Sequence, residues 1–209
     1  DSSVELVSSG MPANGVRLQI VDPKTKQQLD DGCVGEIWVS GGNVALGYAN
    51  KSRLTEESFD VSVKGDTTGI SYLCTGDLGF MHQGNLYVTG RLKDLLIIRG
   101  RNHYPHDIEA TILQGFEVLN NTNSSAFMSD GGIQPKTVVV QEINKRKVAS
   151  LNLDGLKQEI RIRVSEHHGI SIDDLVFVKS NSIPKTTSGK IRRKECRRRY
   201  ESGELLVMS

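Results

Sequence analysis

The spacing of apolar residues changes near residues 91–94, and this change limits the folds open to the chain. Before it, runs such as "GVRLQIVD" from Gly15 and "GEIWVSG" from Gly35 alternate apolar and polar positions between turn residues. This alternation predicts half-buried β-strands. After it, strand-like runs alternate with segments of helical spacing. We therefore predict a β-rich domain over residues 1–92 and a small α+β domain over 93–209.

Further segments of the first part carry predictions of their own. "LTEESF" from Leu54 predicts a short helix with Thr55 as its N-cap. "GDTTGISY" predicts a loop, and "NLYVTG" from Asn85 predicts a strand after an "HQG" turn. We expect Thr75-Gly76-Asp77 to lie at a turn.

The second part reads as strand, helix, strand, strand, helix, strand, helix. "DLLIIRG" predicts a buried strand closed by Gly100, and "PHDIEATILQG" a helix with Pro105 before its start and Gly115 past its end. "SSAFMS", "KTVVVQEI" and "DLVFVK" predict strands, and "RRKECRRRYESGEL" predicts a helix. The remaining helix, "LDGLKQEIRIRVSEHHG", ends at Gly169 and places four apolar residues on one face: Leu153, Leu156, Ile160 and Val164.

Composition excludes several functional classes. The net charge is +1, so no overall field recruits nucleic acid or a membrane surface. No apolar run approaches the roughly 20 residues that span a bilayer. The three cysteines are far apart and fit neither a disulfide framework nor a zinc site, which favours a reducing compartment, and we expect the cytoplasm: Cys33, Cys74 and Cys196.

The stretch "SIPKTTSGKIRR" from Ser182 admits three functions: a phosphate-cradling loop, a basic patch for nucleic acid, or a mobile loop carrying one catalytic cation, Lys190. A Walker loop requires glycine where Pro184 stands and serine or threonine where Ile191 stands, so the first interpretation fails. Seven cations lie between Lys190 and Arg199 without interleaved aromatic residues. A solvated cationic helix face is therefore favoured over nucleic-acid binding.

Acidic and basic groups elsewhere offer further candidate sites. Asp77 is a bidentate acceptor suited to the two hydroxyls of a ribose, although the segment taken alone favours an Asx-turn in a surface loop. Arg91 follows fourteen residues later and could bind sugar or phosphate oxygens, or form a surface ion pair. His103 and His106 form H-x-x-H around Pro105, where a structural or substrate-lining role is favoured over metal binding.

Four motifs in order resemble the C-terminal part of the adenylate-forming enzymes, the ANL superfamily: "GEIWVSGGNVALGYANKSRLTEESF", "YLCTGDLG", "GRLKDLLIIRG" and "PKTTSGKIRR". Within that superfamily, "LVSSGMP", "GEIWVSG" and "IIRGRNHYPHDIE" are most similar to the fatty acyl-AMP ligases. The resemblance covers nearly the whole chain. It implies the β-rich end of a large N-terminal region, followed by a small mobile C-terminal domain.

The resemblance also implies residue roles. Asp77 would bind the ribose hydroxyls of ATP and of the acyl-adenylate, and Arg91 would support the ribose and phosphate side. Lys93 matches the hinge about which the small domain rotates. Lys190 matches the catalytic lysine of a closing loop, and Gly100 lies in the turn that lines the pantetheine path in relatives.

The implied reaction joins a fatty acid to ATP, releases pyrophosphate, and passes the acyl group to the phosphopantetheine arm of an acyl carrier protein. A long-chain acyl-CoA synthetase and a non-catalytic adenylate-binding module are the alternatives. The chain begins at Asp1 and lacks the family's N-terminal phosphate loop, fatty-acid tunnel and Mg²⁺-binding glutamate. We therefore expect it to be inactive alone, with no metal ligand among its own residues, no nucleic-acid partner and no transmembrane segment.

Overall fold

The computed structural model describes residues 6–130, 134–144 and 152–208. The chain divides into two compact units, Asp1–Lys93 and Asp94–Ser209, and each is described by itself. Helices and sheets occur together, so the predicted α+β class is confirmed. A 3₁₀ turn over Leu92–Asp94 contains the boundary. Within the described ranges, no helix combines the length and the apolarity that a membrane span requires.

The first unit is built on a four-stranded antiparallel sheet with strands in sequence order. Its strands are β1 (Arg17–Val21), β2 (Gly35–Ser40), β3 (Leu73–His82) and β4 (Asn85–Arg91), and its helix is α1 (Ser52–Phe59). Both alternating runs that predicted strands, and the run at Asn85, form them. The segment from Gly65 is a loop, as its composition predicted.

Two local predictions for this unit are wrong. Gly35 to Trp38 of β2 are all buried rather than alternately exposed, because residues outside the strands also pack over β2: Trp38 lies in one cluster with Val61, Val63 and Tyr72. Thr55 lies inside α1 and does not cap it. Its hydroxyl donates to the carbonyl of Lys51 at 3.0 Å and accepts from the amide of Tyr48 at 2.9 Å, so it fastens the preceding loop to the helix.

The second unit combines a hairpin, a three-stranded sheet and three helices among its described residues. The hairpin strands are β5 (Leu96–Ile98) and β6 (Arg101–His103), and the sheet has the order β7 (Ser124–Ser129), β8 (Lys136–Ile143), β9 (Asp174–Lys179). The helices are α2 (Pro105–Gly115), α3 (Leu153–His168) and α4 (Arg193–Glu201). β7 and β8 are antiparallel, whereas β8 and β9 are parallel and joined across α3.

The sheet of this unit separates two apolar clusters. Val139 packs with residues of α2 and α3, whereas its neighbours Val138 and Val140 pack with Cys196 of α4. The predicted apolar face of α3 lies in the first cluster, and Gly169 ends that helix in the left-handed conformation at φ +66°. The β8 side chains alternate because successive residues of a strand point to opposite faces. Helices therefore cover both faces of the sheet.

The segments around the hairpin differ in detail from their predictions. "DLLIIRG" does not form one buried strand, because it contributes only the three-residue β5, in which Ile97 is exposed. The partner strand β6 carried no sequence signal. Pro105 is the first residue of α2 rather than the residue before it, and Gly115 is its last residue. Pro suits that first position because its missing N–H has no helical partner there.

Candidate functional site

Asp77 lies in a β-bulge and not at the predicted turn. β2 pairs Glu36 with Leu78 and Trp38 with Cys74, so three residues of β3, Thr75 to Asp77, face the single residue Ile37. Gly76 has φ +73°, a conformation that glycine adopts without strain. The extra residues interrupt the regular pairing of β3 with β2 at Asp77. Bulges of this kind change the direction in which a side chain points.

A buried carboxylate supports this bulge. Glu36 Oε1 accepts from the amide of Gly76 at 2.9 Å, and its Oε2 accepts from Trp38 Nε1 at 2.9 Å. The Thr75 hydroxyl donates to the carbonyl of Ile37 at 2.7 Å and accepts from the Asp77 amide at 3.1 Å. Sequence reasoning missed Glu36; the signal was an acidic residue within the otherwise apolar run "GEIWV".

The bulge brings Asp77 and Arg91 together. The two residues are register partners across β3 and β4, and Arg91 Nε donates to Asp77 Oδ1 at 2.7 Å. Their side chains are 36% and 66% exposed. A pair this exposed stabilises a fold by about 0–1 kcal/mol. Its chemical capacity is larger, since a carboxylate accepts several hydrogen bonds and a guanidinium carries five donors for hydroxyl or phosphate oxygens.

Lys190 lies in a closed hairpin rather than in an irregular loop. Lys185 and Ile191 form an antiparallel bridge, and the amide of Thr186 donates to the carbonyl of Lys190 at 2.8 Å. The Lys190 amide donates to the Thr186 hydroxyl at 3.0 Å, and Gly189 has φ +83°. This is the pattern of a three-residue hairpin with glycine in the left-handed position. Lys190 is exposed at the end of it.

The start of the hairpin is held by a second buried carboxylate. Glu142 of β8 accepts from the amide of Ile183 at 2.9 Å and from Asn123 Nδ2 at 2.6 Å. Glu142 and Ile183 are 1% and 3% exposed. The backbone that leads into the Lys190 hairpin therefore begins at a fixed point of the sheet.

The arginines of α4 are engaged by carboxylates, which argues against a nucleic-acid surface. Arg197 pairs with Asp130 and Glu201, while Arg198 and Arg199 both pair with Glu195. Hydrogen bonds from Arg198 and Arg199 lower the pKa of Glu195 to about 2. A helix whose cations are already paired offers little to a phosphate backbone.

Gly100 occupies the turn of the β5–β6 hairpin. Arg99 and Gly100 have φ +51° and +77°, as a two-residue type I′ turn requires. An open pocket of about 360 Å³ lies beside this hairpin and is lined by both arginines of the turn region, Arg99 and Arg101, together with His103 and His168. Burial and the charge of Arg101 lower the pKa of His103, so this ring stays neutral at pH 7.

The remaining predicted residues lie apart from a ligand-binding geometry. Lys93 is the last residue of the first unit and belongs to the 3₁₀ turn. His106 contacts its neighbour Asp107 at 3.4 Å. The described ranges contain no group of three or more His, Cys, Asp or Glu side chains arranged to hold a metal ion. The Asp77–Arg91 pair suits a sugar or phosphate ligand.

Residues 93–209 match the family described as the Disco-interacting protein 2-like AMP domain, and residues 1–49 match the AMP-binding enzyme family. The first match covers more than half of the chain. The chain therefore belongs to the AMP-binding, adenylate-forming domains, as the motifs indicated.

Particular relatives refine this membership. The chain is similar to the medium-chain-fatty-acid–[acyl-carrier-protein] ligase JamA of Moorena producens, at 38% identity over 96% of this chain and 34% of that protein. It is similar to the putative fatty-acid–CoA ligase fadD25 of Mycobacterium tuberculosis, at 41% identity over 98% of this chain and 35% of that protein. It thus spans about a third of the length of these curated relatives.

The fold is similar to that of solved adenylating enzymes. A structure described as a study of fatty acyl-adenylate ligases from E. coli and L. pneumophila aligns with a TM-score of 0.75 and 29% identity. The alignment covers 95% of this chain and 33% of that one. The relatives and the fold point to the same class.

Proposed function

We propose that this chain is the C-terminal portion of a fatty acyl-AMP ligase. The whole enzyme activates a fatty acid with ATP to an acyl-adenylate, releases pyrophosphate, and transfers the acyl group to the phosphopantetheine arm of an acyl carrier protein. The observation that carries the proposal is the similarity, over 96% of the chain, to a relative whose name states both a fatty acid and a carrier protein.

The geometry of the first unit supports a nucleotide-binding role. Asp77 lies on the bulge of β3 and is held beside Arg91, with one carboxylate oxygen 2.7 Å from Arg91 Nε. The carboxylate accepts hydrogen bonds from the two ribose hydroxyls, and the guanidinium donates to the ribose and phosphate side. A carboxylate without this partner would repel the phosphates of ATP.

Lys190 serves the chemical step. A fatty carboxylate attacks the α-phosphate of ATP, so two anions must meet while negative charge moves onto the departing pyrophosphate. An ammonium group close to both anions offsets this repulsion, most effectively where water is excluded. Rotation of the second unit about Lys93 delivers Lys190 for adenylation and removes it for transfer, when the turn at Gly100 lines the path of pantetheine.

Three further parts of the proposal concern the surroundings of the reaction. Mg²⁺ accompanies ATP and is bound outside the residues of this chain. The chain alone is inactive, because it supplies only part of the active site. The enzyme acts in the cytoplasm, in keeping with its cysteines, of which Cys196 is buried and unpaired.

The first rival is an acyl-CoA synthetase, favoured by the similarity to fadD25, whose name states a CoA ligase. The two functions differ in the acceptor. The full-length protein should be incubated with ATP, Mg²⁺ and a long-chain acid, with coenzyme A and a phosphopantetheinylated carrier protein offered side by side. Acyl carrier protein as the sole acylated product supports the proposed ligase, whereas acyl-CoA supports the synthetase.

The second rival is a non-catalytic adenylate-binding module, favoured by the match to a Disco-interacting protein 2-like AMP domain. Such a module retains nucleotide binding but does not need a catalytic cation. Lys190, Asp77 and Arg91 are all of chemically competent type. Two results together support the ligase. The full-length protein forms acyl-AMP, and this chain incubated alone does not. Nucleotide binding without acyl-AMP in the full-length protein supports the module.

A further inference from the structure

The end of the Lys190 hairpin is clamped by a bidentate ion pair. Arg193, three residues after Lys190, is the first residue of α4. Its Nε donates to Glu109 Oε1 of α2 at 2.8 Å, and its Nη2 donates to Glu109 Oε2. The two side chains are 22% and 7% exposed. Such a fork-to-carboxylate pair fixes direction as well as distance, which a single hydrogen bond does not.

Glu109 is itself fixed on its far side. Its Oε1 also accepts from the amide of Ala126 in β7 at 2.9 Å, so one carboxylate joins α2, β7 and the start of α4. Arg193 Nη1 also lies 3.8 Å from Asp94 Oδ2, and Asp94 directly follows Lys93. Burial lowers the pKa of Arg193, but the hydrogen bond and charges of Glu109 and Asp94 outweigh this and raise it, so the guanidinium stays charged.

The backbone carries this restraint to Lys190. The Arg192 amide donates to the carbonyl of Pro184 at 2.9 Å, which closes the hairpin immediately before the clamp. With Glu142 holding Ile183 at the other end, both ends of the hairpin are attached to buried carboxylates. The hairpin is therefore fixed at both ends to the body of its unit.

We propose that Arg193, through Glu109, is a positioning residue for Lys190, so that hairpin and unit move as one body. This inference rests on the proposed function, because it assumes that Lys190 acts in adenylation. Arg193 lies one residue beyond the closed hairpin, and its guanidinium forms a bidentate hydrogen bond with Glu109. In this proposal it therefore acts on the reaction through Lys190.

The test is Arg193→Lys in the full-length enzyme. Lysine keeps the positive charge but cannot form the bidentate pair with Glu109, so the orientation of the hairpin is no longer fixed. Misplacing a catalytic group by about 1 Å lowers the rate on the order of a hundredfold. We therefore expect kcat for pyrophosphate release to fall about ten- to a hundredfold. KM for ATP should be unchanged. Arg197→Lys, one turn further along α4 and also ion-paired, is the matched control and should match the wild type.

Coupling to Lys190 separates positioning from general destabilisation. In a Lys190→Ala background, Arg193→Lys should cause no further loss in single-turnover adenylation, because the two residues act as a unit. Wild-type kcat in Arg193→Lys, or an equal loss in both backgrounds, overturns the positioning role. If Arg193→Lys does not fold, Glu109→Gln, which keeps an oxygen for the Ala126 amide, replaces it under the same criteria.

The outcome also distinguishes this inference from the proposed function. A Lys190→Ala enzyme with normal pyrophosphate release rejects the catalytic lysine and the positioning role together. A Lys190→Ala enzyme without turnover, combined with a normal Arg193→Lys enzyme, rejects only the positioning role.

Discussion

The two units hold the side chains of the proposed site in different ways. In the first, Asp77 lies inside a sheet, on a bulge whose neighbour strand supplies the partner Arg91. In the second, Lys190 lies at the exposed end of a hairpin, beyond the sheet. Both segments depart from regular backbone, and in both a buried glutamate accepts the backbone amide that the irregular segment leaves unpaired: Glu36 for Gly76 and Glu142 for Ile183.

The difference between them suits two tasks. A group that binds the sugar of a nucleotide benefits from a fixed direction, which strand register and a cross-strand partner provide. A cation that must approach an anion and then leave benefits from an exposed ammonium group on a rigid segment of backbone. In both arrangements a buried carboxylate holds the backbone, Glu36 at Gly76 and Glu142 at Ile183.

The largest expected effect is at Lys190. Lys190→Ala should lower adenylate formation on the order of a hundred- to a thousand-fold, as loss of a group that stabilises developing negative charge does. Pyrophosphate release by the full-length enzyme measures it. The side chain is exposed, so the thermal unfolding temperature should not change. Near-normal turnover would reject the assignment.

The next effect is expected at Asp77. Asp77→Asn keeps the size of the side chain but removes its charge and replaces one acceptor oxygen with a donor, so the affinity for AMP should fall about ten- to a hundredfold. Equilibrium binding measures it. Asp66→Asn is the matched control, because it alters a half-buried, hydrogen-bonded loop carboxylate of the same unit. An equal loss in both variants would contradict a specific role.

A smaller effect is expected from Glu36→Gln. Glutamine offers one acceptor oxygen where the amide of Gly76 and the indole of Trp38 now have two, so one buried donor loses its partner. The free energy of unfolding should fall by about 1–3 kcal/mol, and the KM for ATP should rise. Urea unfolding and steady-state kinetics measure these, with the exposed Glu56→Gln as control. Unchanged KM would make the glutamate purely structural.

The smallest effect is expected from Gly100→Ala. Its φ of +77° strains an alanine by about 1–2 kcal/mol, while an added Cβ meets no atom within 4 Å. Acyl transfer to the carrier should slow and pyrophosphate release should not. Gly69→Ala, at φ +69° with the same open surroundings, imposes equal strain elsewhere. Equal rates of transfer in both variants would remove Gly100 from the pantetheine path.

Periodicity predicted the strands β1 and β2 and the helix α3, because the pattern of apolar residues is a local property, whereas the strand β3 (Leu73–His82) was not predicted. It failed at β2, where burial depends on residues outside the strands that pack over it, and at Asp77, where the bulge results from the register between two strands. The hairpin strand β6 was missed since "RNH" has no apolar alternation.

The site divides in the same way. Asp77, Arg91 and Lys190 were proposed from the sequence because their residue types and spacing match a family motif. The sequence did not point to Glu36, Glu109 and Glu142. Each of them forms a hydrogen bond with a residue at least 40 positions away in the sequence, and Glu109 and Arg193 are 84 positions apart. Such contacts exist only once the fold has formed.

The most direct test compares nucleotide binding and chemistry in two variants of the full-length enzyme. We predict that Asp77→Asn weakens AMP binding and lowers pyrophosphate release, whereas Lys190→Ala lowers release on the order of a hundred- to a thousand-fold and leaves AMP affinity as in the wild type. Loss of AMP affinity in Lys190→Ala together with retained affinity in Asp77→Asn would contradict the assignment of binding to one unit and catalysis to the other.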